Sequence, residues 1–160
     1  MNRKNAGGPK TKNGLLSEDF VDTNIVFSTL LNPHSAIGEM LMNIQDEFTF
    51  YAPELLKHEL KRYSPKIAAH SKLDENALAD IEALVLSGIN FVPEEDISAQ
   101  SWTMAWSITK DIDEDDTPFV ALAIELNTKL WTGDKVLTRG LIKKDVNIAI
   151  TTAGLKLLLK

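Results

Sequence analysis

A chain of 160 residues that is 44% hydrophobic and 25% charged is long enough to bury a core of its own as one globular domain. It has no cysteine, which excludes disulfides, thiolate nucleophiles and Cys-ligated zinc. A net charge of −6 speaks against a protein that coats nucleic acid, but not against an enzyme that grips a few phosphates through clustered cations.

Residues 1–14, MNRKNAGGPKTKNG, read as a flexible basic arm and lack the apolar core of a secretory signal. No apolar run approaches the length of a membrane span, so the cytoplasm is the expected location and no membrane partner is expected. Residues 15–160 show no repeat or second linker and are expected to form a single domain. Residues 18–22 predict a short strand ending on Asp22. Ile25, Val26, Phe27, Leu30 and Leu31 then continue at helical spacing until Pro33. Asp22 thus interrupts an apolar passage, with Asn24 beside it; a turn or a ligand position both account for it. A helix capped by Ser35 follows, then an aromatic strand over 47–52, with Pro53 where the next helix begins.

That helix is expected to run from Glu54 to about His70, with Leu56, Leu60 and Tyr63 as its apolar stripe. Glu59 falls beside the stripe, either as a boundary residue paired with Lys57 or Arg62, or for a functional reason. A further amphipathic helix over 74–87 closes at Gly88, and residues 89–92 predict a third strand. Trp102 and Trp106 then lie one turn apart on a helix over 98–110; such a pair is more commonly core or oligomer surface than a base-stacking platform.

The stretch 111–135, DIDEDDTPFVALAIELNTKLWTGDK, organises the second half. An acidic cluster leads through Asp116 into an apolar helix. A β-type run over 129–132 stops at Gly133-Asp134, past the carboxyl end of a strand, where open parallel sheets form crevices. Carboxylates gathered at one sheet edge repel each other, and a divalent cation is the usual reason they tolerate it. His34, His58 and His70 show no HExxH-type pairing, so a metal here would be a hard one held by oxygens. A basic helix over 136–144, a strand over 146–150 and a final helix capped by Thr151 complete the chain. The alternation of strand and helix predicts a three-layer α/β/α sandwich around a parallel sheet of about five strands.

With those residues in view, the chain resembles the PIN-domain family of metal-dependent ribonucleases, which includes VapC-type toxins. The resemblance rests on Val21-Asp22-Thr23-Asn24, on Pro53-Glu54-Leu55-Leu56-Lys57-His58-Glu59-Leu60, on Asp116-Thr117-Pro118-Phe119-Val120-Ala121-Leu122-Ala123, and on Leu130-Trp131-Thr132-Gly133-Asp134-Lys135. It implies an acidic catalytic and metal-binding set of Asp22, Glu59, Asp116 and Asp134 for Mg²⁺ or Mn²⁺, with Asn24 and Thr132 as polar helpers. It further implies cleavage of single-stranded RNA to leave a 5′-phosphate, an antitoxin protein as partner, and a homodimer. Lys57, Lys61, Lys135 and Arg139 are the candidate guides for the RNA strand. Asp116 is favoured over its neighbours Asp111, Asp113, Glu114 and Asp115 because it stands directly before the apolar helix.

Other acid-rich folds fit less well. A haloacid-dehalogenase-type phosphatase needs a second aspartate where Asn24 stands, and a receiver domain needs paired acids there. Asp111, Asp113 and Asp115 imitate the start of a calcium loop, but that loop requires Gly at Asp116 and Glu at Leu122. The alternative of another class is a catalytically silent PIN-fold module that binds RNA or answers to a partner.

Overall fold

The computed structural model describes residues 19–22, 24–45 and 47–158; the arm expected over 1–14 and Thr23 lie outside the described residues, as do the side chains of Asp19 and Asp22. Five strands, β1 (Asp19–Asp22), β2 (Thr49–Pro53), β3 (Ile89–Val92), β4 (Lys129–Trp131) and β5 (Ala149–Ile150), form one sheet in the order β3-β2-β1-β4-β5. Every neighbouring pair is parallel. Phe20 and Val21 in β1 and Leu130 and Trp131 in β4 are all fully buried although successive residues point to opposite faces. That is the mark of central strands covered by helices on both sides.

Nine helices alternate with these strands among the described residues: α1 (Ile25–Leu31), α2 (Ala36–Ile44), α3 (Leu55–Arg62), α4 (Ser64–His70), α5 (Glu75–Ser87), α6 (Ala99–Thr109), α7 (Thr117–Leu126), α8 (Lys135–Lys143) and α9 (Thr152–Leu158). Their starts follow capping chemistry. The side chains of Ser35, Asp74 and Ser98 each accept a backbone N–H from the first turn of the helix they precede. Thr151 does the same for Gly154. α7 packs against β1, β2 and β4 with Phe119, Val120, Ala121, Leu122 and Ala123 buried. No helix among the described residues is long and apolar enough to cross a membrane.

Three boundaries differ from expectation. The helix expected over 54–70 breaks into α3 and α4 at Tyr63, whose φ of −97° and ψ of 6° leave the helical region. Pro65 in the first turn of α4 lacks the N–H that a continuous helix would need there. Leu56 and Leu60 are buried as the stripe requires, but Tyr63 is 41% exposed. Pro53 ends β2 instead of opening the helix, and the last strand is shortened to Ala149–Ile150.

From β1 the chain winds outward through β2 and β3, then returns to the far side of β1 for β4 and β5. The strand order therefore reverses between β1 and β4, and the crevice beyond their carboxyl ends is the topological switch point where such sheets bind ligands. Asp22 ends β1 opposite Trp131, the last residue of β4.

Candidate metal centre

The switch-point crevice holds a cavity of about 160 Å³ lined by Asn24, Phe27, Glu59, Asp115, Asp116, Phe119 and Asp134. Three of the four acids expected from sequence, Glu59, Asp116 and Asp134, thus converge from α3 and from the starts of α7 and α8. The fourth, Asp22, is placed by its backbone at the mouth of the same crevice, while its side chain lies outside the described residues. No lysine or arginine lines the cavity among the described residues, and Arg62 acts on Glu59 only from outside it.

Asp134 is the N-cap of α8, and its Oδ1 accepts the N–H groups of Val136 and Leu137 at 2.9 and 3.1 Å. The turn before it is held from two sides. The Gly133 N–H donates to Asn24 Oδ1 at 3.2 Å, and the Asp134 N–H donates to the buried Thr132 Oγ1 at 3.0 Å. Asn24 and Thr132 therefore fix the backbone that presents Asp134.

Asp116 is the N-cap of α7 but makes no capping hydrogen bond. Its Oδ2 is buried with no hydrogen-bond partner among the described residues. Desolvation by burial, followed by repulsion from Asp113, Asp134, Asp115 and Glu59, pushes its pKa up from 3.8 to about 7. Burial also raises the pKa of Glu59, with Asp115 adding to the rise and Arg62 opposing it.

Asp113 joins the site from the acidic loop, where its Oδ1 also accepts the Asp115 N–H at 3.0 Å. One oxygen each of Asp113, Asp116 and Asp134 lie within 4.8 Å of one another. Around an octahedral Mg²⁺ with bonds of roughly 2.1 Å, opposite oxygens stand about 4.2 Å apart and adjacent ones about 3 Å, so the trio is near enough to share an ion but must draw together to do so. Glu59 lines the cavity outside this trio. An all-oxygen donor set, a buried carboxylate oxygen without a partner and a crowd of uncompensated acids fit a hard divalent cation.

The acidic loop is anchored from α8. Lys144 bonds the Ile108 carbonyl at 2.7 Å and pairs with Asp111, holding the Asp111 carboxyl below its usual range. Ile112 packs onto Gly140 so closely that a Cβ there would stand 2.5 Å from Ile112 Cδ1. One helix thus carries Asp134 at its start and seats the Asp113 loop along its side. The part played by Asp113 and Asp115 was missed in the sequence, where the only signal was the crowding of acids itself.

The four candidate cations do not gather at the acids. Lys57 lies over the Phe91 ring of β3 at 4.4 Å, and Lys61 is exposed on α3. Lys135 and Arg139 line a second cavity of about 350 Å³ with Thr132, Gly133, Thr138 and Thr151, at the turn that presents Asp134.

A PIN domain profile matches residues 20–152 of the chain. Among solved structures, PAE2754 from Pyrobaculum aerophilum is similar over 89% of this chain and 89% of its own, with a TM-score of 0.61 and 16% identity. VapBC2 from Rickettsia felis, crystallised bound to a DNA fragment from their promoter, is similar over 83% of this chain and 96% of that one, with a TM-score of 0.52 and 16% identity. At those identities the likeness is one of fold. No curated protein matches.

Proposed function

The chain belongs to the PIN domain family, and from that premise we propose that it is a metal-dependent endoribonuclease hydrolysing phosphodiester bonds of single-stranded RNA. The observation that supports this most is the Asp116 oxygen, buried among like charges with no hydrogen-bond partner among the described residues. Such a group costs stability unless a cation meets it.

In this proposal Asp22, Asp116 and Asp134 hold Mg²⁺ or Mn²⁺, with Asp113 as a further oxygen donor. When bound, the ion supplies the positive charge that lowers the pKa of a water and offsets the charge developing at phosphorus. Glu59 sits apart from the tight trio and orients the attacking water. Asn24 and Thr132 keep the Gly133-Asp134 turn in place, so the Asp134 carboxylate does not have to be reordered on binding. Phe27 and Phe119 wall the cavity and limit its hydration, which strengthens the electrostatics inside. Lys135 and Arg139, with the hydroxyls around them, take a neighbouring phosphate of the strand; Lys57 and Lys61 contribute long-range attraction only.

Purified Asp22→Asn and Asp116→Asn proteins, assayed with Mn²⁺ against a panel of single-stranded RNAs, test the assignment. Both are expected to lose at least about a hundredfold in cleavage rate; cutting at the parental rate would show that these acids are not catalytic.

The similarity to VapBC2 supports a toxin that meets an antitoxin partner, with cytoplasmic location and a homodimer as further parts of the proposal. The rival is a silent member of the fold that binds RNA without cutting it. Mn²⁺ separates the two: the enzyme gains thermal stability from the ion and Asp22→Asn abolishes that gain, whereas a silent module has no such response.

A further inference from the structure

Beside the acid cavity lies a wider groove of about 620 Å³, lined by Trp102, Thr103, Trp106, Glu114, Asp115, Thr117 and Pro118. Asp115 lines both spaces, so the groove adjoins the crevice where the scissile phosphate would sit. Trp102 and Trp106 stand one helical turn apart on α6 and present their rings on one side. Trp106 is 47% exposed, a large aromatic surface left at the mouth of a functional cavity. Trp102 is tied down by its indole N–H, which donates to the Glu94 carbonyl.

The groove is rigid for reasons visible in its hydrogen bonds. Glu125 on α7 accepts from the Ser98 and Ser101 hydroxyls at 2.8 and 2.7 Å, clamping the start of α6. At the other end of α6, Thr109 and Thr117 share a buried hydroxyl contact of 2.6 Å, and the Thr117 hydroxyl also donates to the Glu114 carbonyl at 2.7 Å. The two indoles, the Glu114-Asp115 segment and the start of α7 are therefore held in one arrangement, so an incoming ring loses entropy without the wall having to be ordered as well.

Its chemistry discriminates between the parts of a nucleotide. The lining includes two carboxylates and no lysine or arginine, so a phosphate is repelled from it. A base is uncharged, stacks on indole, and offers N–H donors to carboxylate oxygens. Guanine suits this set best, because its Watson–Crick edge carries two adjacent donors that match the two oxygens of one carboxylate, whereas uracil offers a single N–H there. We propose that the Trp102-Trp106 groove is a base subsite that stacks a guanine next to the scissile phosphate, with Glu114 accepting from its Watson–Crick edge. This rests on the nuclease reading for its place in catalysis, but base binding itself requires no metal.

Two measurements test it separately. Intrinsic fluorescence is titrated with the trinucleotides GGG and UUU in the presence of EDTA, so that binding is read without cleavage. GGG is expected to bind at least about tenfold more tightly than UUU, with Trp106→Ala and Glu114→Gln each removing most of that difference and Trp106→Phe retaining it. Cleavage of single-stranded RNAs differing only in G or U at one position should then show the same preference in kcat/KM, flattened by Trp106→Ala. Equal binding of GGG and UUU overturns the proposal. So does quenching by an arginine-rich peptide but not by GGG, which would assign the groove to a cationic partner protein. So does a Trp106→Ala protein that turns from dimer to monomer with its GGG affinity intact. Loss of cleavage in every RNA with GGG binding preserved defeats the nuclease reading and leaves the base subsite standing.

Discussion

At the start of α8, Asp134 turns one oxygen onto the N–H groups of Val136 and Leu137, while at the start of α7 Asp116 makes no such bond and keeps an oxygen buried without a partner among the described residues. The two residues are of one type, occupy the same local position and face one cavity. One oxygen of Asp134 is accounted for by helix capping: its charge is welcome at a helix N-terminus and its acceptor satisfies otherwise orphaned donors. Nothing among the described residues offsets Asp116 in the same way, and burial and four neighbouring acids push it up to about 7. The pair teaches that a carboxylate oxygen taken up in a helix cap lowers the energy of its surroundings, whereas one buried among like charges raises it.

The sharpest way to break this contrast is the ion itself. Mn²⁺ at a hundredfold excess over Kd should add about 2.7 kcal/mol, a rise of roughly 5–10 °C in melting temperature for a chain of this size. Asp116→Asn should abolish the rise, and an undiminished rise in that variant would remove Asp116 from the site.

The next test is acid–base. The folded-state pKa of Asp116 lies above its ordinary value of 3.8, so folding favours its protonated form. The stability tied to that form is complete below the ordinary carboxylate range and is lost as pH rises through about 7. Glu59, also raised, contributes with the same sign. The ion-free protein should therefore lose melting temperature between about pH 5.5 and about pH 8 by a margin that shrinks in Asp116→Asn, while the Mn²⁺ gain grows over the same window because the ion binds the carboxylate. A pH response identical in parent and variant would refute the shift.

Opposite signs are expected when the two aspartates are altered without the ion. At about pH 8 Asp116→Asn should melt above the parent, because it removes an unpaired buried charge. Asp134→Ala should melt below it by roughly 2–4 °C, the loss of an N-cap contributing about 1 kcal/mol. Scanning calorimetry of both in EDTA decides, and two shifts of the same sign would dissolve the comparison.

A smaller effect is expected from the loop that brings Asp113 in. Gly140→Ala puts a methyl 2.5 Å from Ile112 Cδ1, so Ile112 and the acidic loop must shift. A cost of about 1–3 kcal/mol is typical of such overpacking. The telling readout is Mn²⁺ affinity, expected to fall severalfold. Lys144→Met should do least, since its partner Asp111 is exposed and solvent screens the pairing.

The parts legible in the sequence were those with a local cause. Ser35 and Thr151 announce their helices by capping, and Gly133-Asp134 announces the end of β4. The break at Tyr63 was not read, because the apolar stripe of Leu56, Leu60 and Tyr63 pointed to a continuous helix; Pro65 in the first turn of α4 was the signal that could have shown it. Among the acids, Asp116 and Asp134 stood out by their positions at element boundaries. Asp113 did not, because nothing local separates it from Asp111, Glu114 and Asp115.

Composition, strand–helix alternation and four short acid-bearing segments were enough to specify a parallel α/β sheet with carboxylates along its carboxyl edge, since turns, caps and hydrophobic period are written in neighbouring residues. Only the folded chain decided which acids meet. The packing of Ile112 on Gly140 swings Asp113 toward Asp134, and the clamp between α6 and α7 sets two tryptophans beside Asp115. Those contacts join residues far apart along the backbone, and they depend on how helices seat on the sheet, which no run of neighbouring residues encodes.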